Sequence, residues 1–523
     1  MEKVNGRKLS LIFIFILILL VIALLVGKLT FSYLGPTLGE DLSNEGEVTA
    51  SGDTLIFTKG SNLSLGATTD NFQTGGSNLS STTNPKVKLV ASSKTNSASA
   101  TYYVGVVINS NSYTYTTSDN TAEVILTIKD ENGNNVTSGV DGLTYVTSGG
   151  VSGFDVTGKK GLFNIKTDYP ISTTSSSTGT THTWTFTLTF VNLGTDQSEN
   201  ENASMNVDIY LQKTKIPTLA DYVISQYTGT QGENNIYYHD SSLANGAGDN
   251  SYRYAGASDQ VNNFVCFGSD AATCPTDNLY RIIGVIDGKV KLIKYDYANS
   301  NLLGTNGDYS GSSTPNSSYY KGSLTSINTY YWNYKNDTSI NNGLGSNEWS
   351  TSLLNKINLN TNYLNNIGPT WSNMIEDATW KVSGHTTNSV TPSVMYTREI
   401  TNATKTYGPS DGTSKIGLMY ASDYGFAASP SAWTKTLGNY YGTDANGTSI
   451  RTINWMFMGF GEWTLTPNSS NSSWVFLLAA SSNPINRDAY DGFGSRPVLY
   501  LKASVAYAGG SGTKDSPITL VVW

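Results

Sequence analysis

Apolar and polar positions follow three different rhythms along this chain. Between Leu9 and Gly27 no residue is charged, and Lys3, Arg7 and Lys8 lie just before the run. A helix rising about 1.5 Å per residue crosses the roughly 30 Å hydrocarbon core of a bilayer in such a length. The basic flank sets the N-terminus in the cytoplasm. The run continues into Gly27-Lys28-Leu29-Thr30-Phe31 without a small-residue cleavage site, so it reads as a retained anchor rather than a cleaved signal. The expected layout is a cytoplasmic tip at 1–8, a transmembrane helix at 9–27, a tether at 28–45, and an extracellular portion over 28–523 in all.

From 46 to 213 the period is two. Trp184, Phe186, Leu188 and Phe190 alternate with threonines. Val124, Leu126 and Ile128 repeat the device, as do Met205, Val207, Ile209 and Leu211, and again Val104, Val106 and Ile108. Alternation of this kind puts the large apolar groups on one face of a strand. Turn-rich stretches such as Asp130-Glu131-Asn132-Gly133 separate the strands. That stretch lacks the closing bidentate Glu of an EF-hand calcium loop, and Asn-Gly favours a hairpin. One buried face per strand predicts two antiparallel sheets packed as an all-β sandwich, jelly-roll or immunoglobulin-like.

Residues 214–249 read as a helix and linker. Thr218 and Asp221 have capping-box spacing, and Leu219, Tyr222 and Val223 share a helical face. Residues 250–523 then mix both periods. Tyr280–Lys294 reads as two strands about an Asp287-Gly288 turn, Ser350 as the cap of a helix carrying Leu353, Leu354 and Ile357, and 373–380 as another short helical piece. Strands return at 474–480, 498–502 and 518–522. This predicts an α+β domain with long loops, where binding sites usually sit.

Only 14% of residues are charged and the formal net charge is −8, with no Lys/Arg run beyond the apolar segment, which argues against nucleic acid as a partner. The two cysteines, Cys266 and Cys274, are close neighbours in an exported chain and read as a local disulfide.

At Trp463-Thr464-Leu465-Thr466-Pro467 and Ser495-Arg496-Pro497-Val498-Leu499-Tyr500-Leu501 the C-terminal half resembles an uncharacterised domain of surface proteins from gut Firmicutes. Asn278–Gly284, Gly417–Gly425 and Gly510–Pro517 match in the same order. The resemblance extends to C-type-lectin-like and formylglycine-generating-enzyme-like folds, and implies such a domain over 250–523. The reactive cysteine pair of those enzymes and the Glu-Pro-Asn and Trp-Asn-Asp motifs of calcium-dependent lectins are missing, so neither activity carries over. The first domain is similar, less specifically, to biofilm-fibre and camelysin-like β-sandwich proteins, without a His-Glu-x-x-His protease motif.

Candidate chemistry is sparse. His182, His239 and His385 are spread too widely for a metal cluster. No Gly-x-Ser-x-Gly elbow occurs, and Glu348, Glu376, Asp377 and Glu462 are the carboxylates considered for sugar hydrolysis. No catalytic residue, cofactor or metal ligand is therefore assigned. Asp488 and Asp491 read as a polar turn rather than a structural calcium site. Arg496 reads as held by a structural carboxylate. Tyr331, Trp332 and Tyr334 are the ligand-binding candidates, because flat rings beside Asn can stack on a sugar; the plainer reading is that such rings cover the sheet beneath long loops. The expected function is adhesion or recognition of a surface glycan or protein by a non-catalytic, membrane-anchored bacterial protein that contacts the membrane through residues 9–27. The alternatives are a structural or fibre-forming envelope protein and an exported enzyme.

Overall fold

The computed structural model describes residues 46–50, 52–67, 76–271, 273–333, 345–403 and 411–521. The expected membrane span at 9–27, with the tip and tether beside it, lies outside the described residues; within them no helix is long and apolar enough to cross a membrane. Antiparallel sheets dominate, joined by a few short helices.

Thirteen strands form the first part: β1 Gly46–Ala50, β2 Asp53–Thr58, β3 Leu63–Gly66, β4 Leu79–Thr83, β5 Lys86–Val90, β6 Ala98–Asn111 and β7 Val124–Lys129, then β8 Tyr145–Ser148, β9 Val151–Asp155, β10 Gly161–Thr173, β11 Thr180–Thr183, β12 Thr185–Phe190 and β13 Ser204–Gln212. They make three sheets rather than two, in the orders β1-β2-β5-β11, β10-β6-β13-β3 and β4-β12-β7-β9-β8. Side chains of all three meet in one core that includes Val87, Val104, Leu126, Trp184, Phe186 and Val207. The alternation read from the sequence is therefore realised at the expected positions. On the polar face of β12, Thr187 and Thr189 bond across to Thr82 and Ser80 of β4, each at 3.0 Å, so the threonines tie strands together while the aromatic rings fill the interior.

The expectation of one buried face per strand fails for β6, β10 and β13. Tyr103, Val107, Leu162 and Tyr210 alternate with the core residues and are also buried. They pack against Ile216, Ala506 and the partly buried Val521, so downstream chain covers the outer face of this sheet.

Helix Leu219–Ser225 follows, with Thr218 accepting from the Asp221 amide at 3.0 Å and the Asp221 carboxylate accepting in return from the Thr218 amide. The remaining chain centres on a seven-stranded antiparallel sheet. Its order is Ile236–His239, Ser251–Tyr254, Leu279–Ile286, Lys289–Lys294, Val498–Tyr500 and Ile416–Gly417, and Phe264–Cys266 pairs with Leu279–Ile286. The Asp287-Gly288 turn has φ of +50° and +71°, a left-handed pair suited to a two-residue hairpin. Ser350 does not cap the next helical segment. That segment, a π-helix over Leu354–Tyr363, has Leu353 at its N-cap and no side-chain cap; Ser352 just before it accepts from the Asn355 amide. The helical piece expected at 373–380 is displaced: Gly368–Ser372 is helical and Ala378–Lys381 is a strand. Cys266 and Cys274 are disulfide-bonded.

Tryptophans organise this second core. The indole N–H groups of Trp332, Trp380, Trp433, Trp455 and Trp463 donate to the backbone carbonyls of Thr464, Ser414, Ala428, Tyr254 and Tyr330. Satisfying that one polar atom removes the main cost of burying an indole; the buried Trp349, whose Nε1 finds no partner among the described residues, is an exception in this core.

Candidate functional site

Trp332 is not a surface platform. Its ring is completely buried, donates to Thr464 at 3.0 Å and packs 5.0 Å from Trp349. A sugar cannot reach it. Tyr331 is half-buried at the end of strand Ile327–Tyr331, paired to Gly492, and Tyr334 lies outside the described residues. Trp332 and Tyr331 thus do not form an exposed aromatic surface. Arg496 matches its expected role: Nε and Nη2 donate to Glu462 at 2.6 and 2.7 Å, with both side chains buried. That pairing also commits Glu462, one of the carboxylates considered for hydrolysis, and Glu376 is taken up by Lys289 at 2.8 Å. Among the described residues no group of three His, Cys, Asp or Glu side chains could hold a metal ion.

An open concavity that gathers titratable and hydroxyl side chains lies in the first part of the chain. It is an open cleft of about 760 Å³, lined by Ser99 and Thr101 of β6, Ile171 and Ser172 of β10, Thr180 and His182 of β11, and by Glu131 and Lys213 from the loops. Local backbone chemistry shapes it. The register between β6 and β10 shifts between Lys166 and Tyr169, where Asp168 takes φ +49°, so β10 is bulged and re-aimed. Pro170 follows, which a strand tolerates because β10 is at a sheet edge. The Glu131 side chain is presented by a tight reversal in which Asp130 Oδ1 accepts from the amides of Asn132 and Asn134 at 3.0 and 2.8 Å; it carries one isolated bridge, Lys129–Asn135, rather than the strand-to-strand hairpin expected there.

A hydrogen-bond relay fixes the chemistry of His182. Trp184 Nε1 donates to the Tyr102 hydroxyl at 2.8 Å, and His182 Nδ1, at 2.9 Å, is that hydroxyl's other side-chain partner among the described residues, so the Tyr102 hydrogen is assigned to it. His182 Nδ1 is then the acceptor, and Nε2 carries the proton of the neutral ring. Burial holds the imidazole below its ordinary pKa against the opposing pull of Glu131, so the neutral form prevails at pH 7. Tyr169 donates to Glu131 Oε2 at 2.9 Å, and burial together with that carboxylate pushes its phenol up to about 12. Lys213 Nζ is steadied by the Thr101 carbonyl at 2.9 Å. The cleft therefore offers a neutral N–H donor, a carboxylate, an ammonium and several hydroxyls. Such a set matches a ligand with many hydroxyls better than one with a single strong charge.

No run of neighbouring residues announces this site. The nearest signal is the series Thr180, His182, Trp184, in which period two places the imidazole beside a core indole. No family description, curated protein or solved structure matches the chain.

Proposed function

We propose that this chain is a membrane-anchored bacterial surface protein that recognises a polar, hydroxyl-rich ligand, a surface glycan, through the cleft at His182, Glu131 and Lys213. The observation that carries the reading is the relay from Trp184 through Tyr102 to His182. It spends a buried indole and a phenol on orienting one imidazole toward an open cleft that bears charges of both signs. The apolar run at 9–27 supports attachment to the membrane, with residues 28–523 outside the cell. In this reading the β-rich first part is a sandwich of jelly-roll or immunoglobulin type and residues 250–523 form a C-type-lectin-like domain, following the resemblance of the motifs around Trp463 and Arg496. The role is binding rather than catalysis.

The test is a glycan array probed with the full-length protein in detergent micelles. Specific binding that is lost in both His182→Ala and Glu131→Gln supports the proposal. Absence of any glycan binding, or binding indifferent to both substitutions, refutes it.

A further inference from the structure

We propose that a second, smaller pocket binds the anionic group, a carboxylate or sulfate, of an acidic saccharide. The pocket has a volume of about 290 Å³ and is lined by Gly384, His385, Thr386, Arg398 and Ser469, sharing no residue with the cleft at His182.

Its side chains are donors. Arg398 is exposed and pairs with no carboxylate among the described residues, whereas the buried arginines Arg253 and Arg496 are both committed to acids. His385 Nδ1 accepts from the Thr387 amide at 3.2 Å, so in the neutral ring Nε2 carries the proton and donates. Thr386 and Ser469 add hydroxyls, and among the described residues no acidic side chain lines the pocket. A planar guanidinium beside an N–H donor and hydroxyls suits the fork of a carboxylate or the oxygens of a sulfate. The chain's net charge of −8 repels anions at a distance, so a local set of this kind has to supply the selectivity.

The pocket is built on fixed supports. Arg398 sits on a π turn, Thr397–Thr401. Its neighbour Glu399 is fully buried and accepts from the Thr466 hydroxyl at 2.5 Å and from the Ser422 amide at 3.3 and 3.4 Å. With Glu399 clamped inward, Arg398 is held outward. Gly384 is required because an added Cβ would collide with the Pro467 carbonyl oxygen. The loop carrying Ser469 is closed by the Asn468 amide donating to the Trp474 carbonyl at 2.9 Å, and the Asn468 side chain donates to the Thr386 carbonyl at 2.9 Å. That the anion is carried on a saccharide rests on the glycan-recognition reading given above.

Isothermal titration of the full-length protein in detergent micelles with sodium glucuronate, glucose and inorganic sulfate tests the assignment. Glucuronate is expected to bind and glucose to bind at least tenfold more weakly. Arg398→Gln is expected to weaken glucuronate about tenfold or more. Sulfate binding without glucuronate binding overturns the saccharide assignment. Glucuronate binding that is unchanged in Arg398→Gln, or equal binding of glucose, overturns the site. Either failure leaves array binding through His182 untouched, since the two sites are read by different variants.

Discussion

Removing the charge of Glu462 is the sharpest test of how the C-terminal core is held. Arg496 lies 2% exposed and donates to Glu462 at 2.6 and 2.7 Å; its Nη2 also donates to the Met456 carbonyl at 2.8 Å. Glu462→Gln keeps the shape and one acceptor but leaves the guanidinium without a counter-ion. Two further cations lie close enough to feel it. Burial and the Arg496 charge lower the pKa of both Arg281 and Lys294, the first to about 9 and the second to about 8. Breaking one side of a buried pair costs about 3–5 kcal/mol. For the compact unit Glu45–Trp523 that lowers Tm by about 3–5 °C, taking about 1 °C per kcal/mol from an unfolding entropy of about 2.1 cal/mol/K per residue. Replacing both partners, Glu462→Leu with Arg496→Met, removes the uncompensated charge and is expected to recover most of the loss. Thermal melts followed by tryptophan fluorescence on wild type, the single variant and the double variant give the comparison. A single variant that melts within about 2 °C of wild type, or a double variant no better than the single, refutes the reasoning.

Further outcomes follow from other features. Burial raises Glu399 from the ordinary 4.5 to about 7, so folding takes up a proton between those values and stability falls as pH rises through that window. The stability difference between wild type and Glu399→Gln should change by at most about 1.4 kcal/mol per pH unit over pH 4.5–7 in urea titrations, and a pH-independent difference counts against it. His239 acts in the opposite sense: burial depresses it to about 3, so its contribution is lost as pH drops below about 6.5. Replacing both cysteines by serine opens a short loop and should cost about 2 kcal/mol, read as a lower urea midpoint. Tyr102→Phe removes the acceptor of the Trp184 N–H and the donor to His182, and should weaken any His182-dependent glycan binding about tenfold without unfolding the chain. Alkaline carbonate washing of membranes should leave the full-length protein in the pellet, and release into the supernatant would remove the anchor from the proposal.

Much of the scaffold is legible in the order of the amino acids alone. Period-two alternation locates β6, β7, β12 and β13 because a strand with a core face leaves a local signature. Thr218 and Asp221 announce their helix, and Arg496 its carboxylate. Trp332 misleads because an aromatic flanked by Tyr and Asn looks amphipathic in sequence, whereas its burial depends on Trp349 and Thr464, distant along the chain. The second buried face of β6 and β13 escapes notice for the same reason: its partners are Ile216 and Ala506. The cleft gathers residues from Ser99 to Lys213, each unremarkable alone. His182 has no histidine or cysteine near it in sequence, and its role emerges only from the orientation that Tyr102 and Trp184 impose on it.

The late cover on the first sheet has a consequence for biogenesis. Thr218 and Ala506 form a bridge, the Leu219 amide donates to the Val505 carbonyl and the Tyr507 amide to the Pro217 carbonyl, stitching the start of the linker to the far end of the chain. A polypeptide made from its N-terminus thus presents Tyr103, Val107, Leu162 and Tyr210 long before their lid arrives. Until Ala506 emerges, that greasy patch stands open to neighbouring chains and invites holding by a chaperone. Products released early, for instance by a stop codon ahead of Val505, are therefore the ones destined to clump.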